Sequence, residues 1–170
     1  MLRTISAAVA ALFITTVGAS AQTAFPFWVG SAVVDSVTSQ CASGGFVAAK
    51  NILDTDYRAK TGINGEPNNP GITFYSGRSS YAYFRTGGNA NVNTMNGAGT
   101  GKGYLIRGNV TTIPNPTQQT YDFTFNFKII PATITQTTQS ININGTITNW
   151  RNVTGCTVTF RAAYRLGPWQ

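Results

Sequence analysis

Strict alternation of apolar and polar residues is the feature of this sequence that most constrains its fold. Between residues 156 and 166 every second residue is apolar, with threonine, alanine or arginine in the intervening positions. The apolar set is Cys156, Val158, Phe160, Ala162, Tyr164 and Leu166. Because successive side chains of a strand point to opposite faces, this period of two predicts a half-buried strand whose cysteine faces the core.

The same alternation recurs upstream. In residues 121–129 the apolar members are Tyr121, Phe123, Phe125, Phe127 and Ile129. Asn144-Gly145 divides two shorter β-type runs and is a dipeptide that two-residue hairpin turns favour. Further candidate strands cover residues 29–38, 72–75, 80–85 and 104–112. We therefore predict an all-β domain, either an antiparallel sandwich or a small barrel.

Two segments do not fit a strand pattern. Residues 46–60 place apolar side chains at helical spacing and put Asp54 four residues before Arg58, which predicts one short helix. Gly87–Gly103 is rich in glycine and asparagine and has few apolar side chains to bury. It therefore predicts a long loop.

The first 21 residues have the organisation of an export signal. Arg3 provides a positive n-region, residues 5–17 are apolar, and an A-x-A cleavage motif follows. The apolar run is shorter than the ~20 residues that a membrane-spanning helix needs. We expect residues 1–21 to be a signal peptide and residues 22–170 to form a single mostly-β domain without a transmembrane helix. The alanine-rich signal favours a bacterial protein, secreted or held in the periplasm or cell envelope.

Cys41 and Cys156 are the two cysteines of the sequence. An exported chain meets an oxidising compartment, where cysteines form disulfides. Redox-active cysteines usually stand two residues apart, whereas these two are far apart in the chain. We therefore predict one Cys41–Cys156 disulfide that closes the domain.

The chain contains no histidine. This excludes Ser-His and Cys-His catalytic pairs and His-ligated zinc, and two cysteines alone cannot complete a tetrahedral zinc site. The sequence also has no G-x-x-x-x-G-K-[ST] phosphate loop. We therefore predict no catalytic residue, no metal site and no cofactor.

A pair of carboxylates is the catalytic chemistry that stays open, because glycoside hydrolysis uses one as acid and the other as base or nucleophile. The acidic residues are Asp35, Asp54, Asp56, Glu66 and Asp122. Asp122 falls on the polar face of a strand, and Asp54 and Asp56 have basic neighbours in sequence, so surface roles explain them. The Asp-x-Asp pair alone is weak evidence for calcium. A carboxylate-dependent glycan-active enzyme is thus an alternative.

Twelve lysines and arginines stand against five acidic residues, a net charge of +7. Such a chain is attracted to anionic glycans or lipopolysaccharide. Aromatic rings can stack on such a ligand, and guanidinium groups bind sulfate, phosphate or carboxylate. The candidate ligand-binding residues are Tyr81, Tyr83, Arg85, Tyr104 and Arg107. The same interleaving is also typical of a β-domain with tyrosines in its core and arginines on its solvated face.

The sequence thus predicts a non-catalytic exported β-module that binds an anionic polysaccharide or lipopolysaccharide. No nucleic-acid partner is expected, because the compartment rarely presents one. A second alternative is a small eight-stranded outer-membrane barrel, since a chain of this length with alternating strands is sufficient for one.

Overall fold

The computed structural model describes residues 26–42, 47–60, 69–77, 79–86, 94–107 and 119–167. The predicted signal peptide lies outside these ranges. The strands are β1 (Trp28–Val37), β2 (Ile52–Arg58), β3 (Gly71–Ser76), β4 (Ser79–Arg85), β5 (Gly97–Arg107), β6 (Gln119–Ile130), β7 (Ser140–Thr148) and β8 (Thr157–Leu166). The helical elements in the described ranges are α1 (Ser39–Ala42) and the 3₁₀ turn Trp150–Asn152. Neither is long and apolar enough to cross a membrane.

The eight strands form a closed antiparallel barrel. Each strand pairs with the next in sequence, and β8 returns to pair with β1. Closure leaves no unpaired sheet edge, which removes the hazard of edge-to-edge association. The all-β prediction is confirmed, and the barrel is the correct member of the sandwich-or-barrel pair.

The barrel interior is filled by aromatic side chains. Alternation along each strand sends one set of side chains inward. The largest inward and fully buried ones include Trp28, Tyr57, Phe74, Tyr83, Phe123, Phe127 and Phe160. The ring of Phe74 lies edge-on to Trp150 and Phe160, with centroids 4.8 and 5.1 Å away. The interior is therefore a packed core.

Strand β5 carries glycine at its inward positions, and at Gly99, Gly101 and Gly103 the aromatic rings of β6 occupy the space that a side chain would fill. The cross-strand pairs are Gly97 with Phe127, Gly99 with Phe125, Gly101 with Phe123 and Gly103 with Tyr121. The predicted loop over Gly87–Gly103 is wrong for its last part, because residues from Gly97 onward belong to β5, and residues 87–93 lie outside the described ranges. The rings supply the apolar surface that glycine lacks.

The predicted helix near residues 46–60 is wrong. Ile52–Arg58 forms β2, and the described residues before it form a turn. The helix was predicted because Leu53 and Tyr57 are four residues apart, and residues at this spacing share a face in a strand as well as in a helix. Both face the core here, with Tyr57 packed against Trp28 at a centroid distance of 6.3 Å.

The predicted disulfide is confirmed. Cys41 on α1 is bonded to Cys156, the residue before β8, with a Cα–Cα distance of 4.6 Å. Beside it, the Thr38 amide donates to the carbonyl of Thr157 at 3.0 Å, and the Thr38 hydroxyl donates to the carbonyl of Gly155 at 3.0 Å. The bond therefore ties the segment after β1 to the turn that leads into β8.

Candidate functional site

The two tyrosines of the sequence-predicted binding set lie in the barrel core. Tyr81 is 2% exposed and Tyr83 is fully buried. Tyr83 stacks on Trp150 with centroids 5.2 Å apart, and its hydroxyl accepts a hydrogen bond from the Arg151 amide at 3.2 Å. The Arg151 guanidinium lies over the Tyr81 ring, 4.1 Å from its centroid. Neither tyrosine presents its ring to a surface ligand, which corrects the prediction for both.

The other three members of that set do not share one surface. Arg85 ends β4 on the inward face, donates to the carbonyl of Thr94 at 3.1 Å and lies over the Phe125 ring. Tyr104 points outward from β5 and packs edge-on against Phe84 at 5.7 Å. Arg107 ends β5, and its side chain lies outside the described part of the chain. The five residues of the predicted binding set thus do not form one site.

Two of the four described acidic residues, Asp35 and Asp122, have basic partners on the surface. Asp122 forms an ion pair with Lys102 at 2.7 Å, and its side chain is 81% exposed. Asp35 accepts two hydrogen bonds of 3.0 Å from the Arg161 Nε. Glu66 lies outside the described residues. Asp54 and Asp56 are the described acidic residues that lack such an ion pair.

Asp54 and Asp56 line a pocket of about 430 Å³ on the outer face of the barrel. Its walls come from β2 and β3, mainly from their outward positions, from the first residues of β1 and from the residue before β1. The lining residues are Phe27, Val29, Gly30, Asp54, Thr55, Asp56, Arg58 and Tyr75. We call it the Asp56 pocket.

The strand geometry of β2 explains why charged groups gather there. Asp54, Asp56 and Arg58 occupy alternate positions of β2, so they share its outward face. In the sheet, Asp56 lies directly between Val29 of β1 and Thr73 of β3. The pocket therefore places two carboxyl groups and one guanidinium group beside an apolar side chain.

Asp56 is buried although it faces away from the barrel interior. It is only 6% exposed. Its Oδ2 accepts a hydrogen bond from the Tyr75 hydroxyl, whereas its Oδ1 is buried and has no hydrogen-bond partner in the described structure. Burial raises the pKa of Asp56, and the Tyr75 hydrogen bond, the positive charge of Arg58 and a weaker hydrogen bond from the Thr73 side chain oppose that rise. The Oδ1 atom of this carboxyl is thus shielded from solvent.

Tyr75 is the outer wall of the pocket. It is 44% exposed and stands opposite Asp54 in the strand register, but its hydroxyl reaches diagonally to Asp56. Burial, followed by the negative charge of Asp56, raises the pKa of the Tyr75 hydroxyl. The hydroxyl therefore keeps its proton at neutral pH and remains a donor.

Hydrogen bonds on the inner side of the sheet fix the floor of the pocket. The Thr55 hydroxyl donates to the carbonyl of Thr73 at 2.7 Å and lies 3.1 Å from the hydroxyl of Tyr164. The Gly167 amide donates to the carbonyl of Phe27 at 2.8 Å, which ties the start of β1 to the end of β8. These hydrogen bonds thus hold the strands that carry the pocket in fixed positions.

The sequence contained a signal for this site that the helical interpretation hid. In a helix, residues two apart point about 200° apart, so Asp54 and Asp56 would lie on different faces. In a strand they share a face. The run Leu-Asp-Thr-Asp-Tyr-Arg at residues 53–58 has this alternation and would have placed both carboxyl groups together.

The Asp56 pocket combines hydrogen-bond acceptors, a tyrosine donor, a cation and the rings of Phe27 and Tyr75. Its volume suits a small ligand or one or two units of a polymer. No cluster of three potential metal-ligating side chains occurs among the described residues. Comparisons of this chain with family models, with curated proteins and with solved structures gave no match.

Proposed function

We propose that this protein is a non-catalytic module that binds a hydroxyl-rich saccharide in the Asp56 pocket. The observation that carries the proposal is the lining of the pocket, in which the carboxyl groups of Asp54 and Asp56 and the guanidinium group of Arg58 lie beside apolar and aromatic side chains.

The remaining walls suit a sugar. Hydroxyl groups donate to carboxylates and accept from guanidinium groups, and the pocket offers Asp54 and Arg58 for these two roles. The C–H face of a sugar ring is apolar, and the rings of Phe27 and Tyr75 with the side chain of Val29 provide apolar surface for it. Polar groups for orientation among apolar walls are typical of small-ligand sites.

Binding is favoured over the glycan-active enzyme. A general acid in glycoside hydrolysis must reach the oxygen of the scissile bond. In Asp56 one oxygen is held by Tyr75 and the other is buried. The Asp122 candidate of the enzyme alternative is engaged with Lys102.

The charge of the pocket modifies the predicted preference for anionic glycans. Two carboxyl groups face one guanidinium group, so a sulfate or uronate inside the pocket would meet repulsion. The net charge of +7 acts over the whole surface and is screened over ~10 Å by salt. We therefore assign salt-sensitive attraction to anionic polymers to the overall charge and specific recognition to the pocket.

The distribution of side chains also favours this module over the outer-membrane barrel. The outward residues of β6 include Asp122, Thr124, Asn126 and Lys128, while its inward residues are mainly aromatic. A transmembrane barrel presents apolar residues outward. The disulfide supports the proposed secreted, periplasmic or cell-envelope location, since such bonds persist in oxidising surroundings.

The test is calorimetric titration of neutral and acidic oligosaccharides at low and physiological salt. We expect a neutral saccharide to bind with little salt dependence, and Asp56→Ala or Tyr75→Phe to weaken that binding by about tenfold or more. Asp122→Asn is the control, because it removes an exposed carboxyl remote from the pocket lining. Binding that disappears with salt, or that the pocket variants leave unchanged, would contradict the proposal.

A further inference from the structure

We propose that the outward face of β6, β7 and β8 is a docking surface for a linear acidic polysaccharide. We call this surface the basic face and define it by Lys128, Asn142, Asn144, Arg161 and Arg165, which are all exposed. It goes beyond the Asp56 pocket, whose lining comes from β1, β2, β3 and the residue before β1. The attraction of this cationic chain to anionic polymers is thereby concentrated on one part of the barrel.

The charged side chains of the basic face have one sign. Among the outward residues of β7, of β8 and of β6 from Thr124 onward, the charged ones are Lys128, Arg161 and Arg165. Asp122 lies nearer the start of β6 and is paired with a lysine of β5. A face with cations and without carboxylates is complementary to an anionic polymer.

Two of the three cations carry uncompensated charge. Lys128 and Arg165 have no ion-pair partner among the residues that the structure describes. Arg161 contacts Asp35 of β1 at 3.0 Å, yet its side chain remains 65% exposed. The Asp35 contact holds the Arg161 guanidinium in place, and the free charges lie on either side of it. The face can therefore bind anions without first breaking an ion pair at Lys128 or Arg165.

The strand register sets the spacing of the cations. Lys128, Asn144 and Arg161 lie in one row across β6, β7 and β8. Neighbouring strands are about 4.8 Å apart, so the backbones of the two cations in this row are about 10 Å apart. Arg161 and Arg165 lie four residues apart on the same face of β8, a separation of about 13 Å. The positive charges are therefore spread along a path and are not gathered at one point.

The residues between the cations suit the hydroxyl groups of a sugar. Ala163 separates the two arginines of β8, and its cross-strand neighbour is Asn142 of β7. Asn144 and Ser140 flank Asn142 on the same outward face. Amide and hydroxyl groups both donate and accept hydrogen bonds, as sugar hydroxyls do. The small Ala163 side chain leaves room for a chain of sugars to lie between the arginines.

The same face is poorly suited to nucleic acid or to a membrane. Duplex DNA carries one charge per about 1.7 Å of its axis, far denser than cations that are about 10–13 Å apart. Single strands stack their bases on aromatic rings, and the outward residues of β7, of β8 and of β6 from Thr124 onward include none. Membrane-surface elements insert several large apolar side chains, whereas Ile130 is the large apolar residue of this set.

The test uses two oligosaccharides of equal length, an oligogalacturonate and its fully methyl-esterified counterpart. Both have the same sugar backbone, and only the first carries carboxylates. We expect the acid oligomer to bind the wild type about tenfold more tightly than the ester at low salt, because only it meets the cations. The preference should shrink as salt is added, since salt screens exposed charges.

Two double variants separate the basic face from the overall charge. Lys128→Gln/Arg165→Gln removes the two free cations of the face, and we expect it to weaken binding of the acid oligomer by about fivefold or more. Lys50→Gln/Lys102→Gln removes the same charge from the connection before β2 and from β5. This control should weaken binding by less than about twofold. All four side chains are at least partly exposed, so neither variant disturbs the core.

Three results would overturn the basic face. Equal losses in the two double variants would show that only the overall charge attracts the polymer. Equal binding of acid and ester, or no binding of the acid oligomer at low salt, would show that the cations recognise no acidic polysaccharide. Duplex DNA or anionic phospholipid vesicles that bind more tightly than the acid oligomer at the same salt would assign the face to another partner. None of these results bears on the Asp56 pocket, whose test uses neutral saccharides and the Asp56 and Tyr75 variants.

Discussion

Gly101 of β5 lies directly opposite Phe123 of β6, and the Phe123 ring occupies the space that a side chain at residue 101 would fill. A Cβ atom added to Gly101 would lie 2.3 Å from Cε1 of Phe123 and 2.2 Å from the carbonyl oxygen of Phe84. One of these neighbours is backbone and cannot turn away. The aromatic side chains of β6 thus fill the part of the core that lies beside the glycines of β5.

We expect Gly101→Ala to destabilise the barrel by about 1–3 kcal/mol, because overpacking forces a ring and a neighbouring strand to move. Thr100→Ala is the matched control, since Thr100 is exposed on the outward face of the same strand. It should change stability by no more than about 0.5 kcal/mol. Urea unfolding of both variants measures the difference, and equal midpoints would contradict the packing argument.

The strands with a clear period of two were predictable, whereas β5 was predicted only from residue 104 onward. The hairpin turn predicted at Asn144-Gly145 is wrong, because both residues lie inside β7. In β6 and β8 most inward residues are large and most outward residues are polar, so one chain segment carries the whole signal. In β5 the inward residues are glycines, and the apolar partner belongs to β6. A pattern that depends on a second strand cannot be found from the first one alone.

The candidate site was missed for a related reason. Alternation places Tyr81, Tyr83 and Arg85 on one face of β4. Ala82, on the other face, is also apolar and is buried too, so the pattern of apolar residues does not indicate which face lies toward the core. The environment of Asp56 depends on Tyr75, which joins it only when β2 pairs with β3. The acidic pair was visible in the sequence, whereas its burial was not.

Trp150 closes one part of the aromatic core from the connection between β7 and β8. It is 2% exposed, stacks on Tyr83 and lies edge-on to Phe74. We expect Trp150→Ala to cost about 3–5 kcal/mol of stability, the range for removing a large buried aromatic side chain. Chemical denaturation measures this cost. A loss below about 1 kcal/mol would show that the ring is dispensable for packing.

The Cys41–Cys156 disulfide closes a loop whose ends are 115 residues apart in sequence. Cross-links of this kind reduce the entropy of the unfolded chain, so the double variant Cys41→Ala/Cys156→Ala should lose about 2–5 kcal/mol. Thermal unfolding with and without reductant is the measurement. Reductant should lower the midpoint of the wild type and leave that of the double variant unchanged. A wild type insensitive to full reduction would contradict the expectation.

Asp56→Asn should stabilise the protein at neutral pH while it weakens ligand binding. Burial raises the pKa of Asp56 above its ordinary value of 3.8, so folding favours the protonated form. Below 3.8 both folded and unfolded states hold the proton, and Asp56 imposes no charge penalty. As the pH rises through the folded-state pKa, the buried group must ionise and stability is lost. Asparagine keeps an oxygen that can accept from Tyr75 and carries no charge at any pH.

The difference in unfolding free energy between Asp56→Asn and the wild type should therefore be positive near pH 7 and shrink as the pH falls toward 3.8. Urea unfolding at several pH values, without ligand, measures it. Asp122→Asn is the control, because this exposed carboxylate is paired with Lys102 and its loss should cost about 0–1 kcal/mol. If Asp56→Asn is destabilising at neutral pH, then the charge of Asp56 is compensated within the free protein.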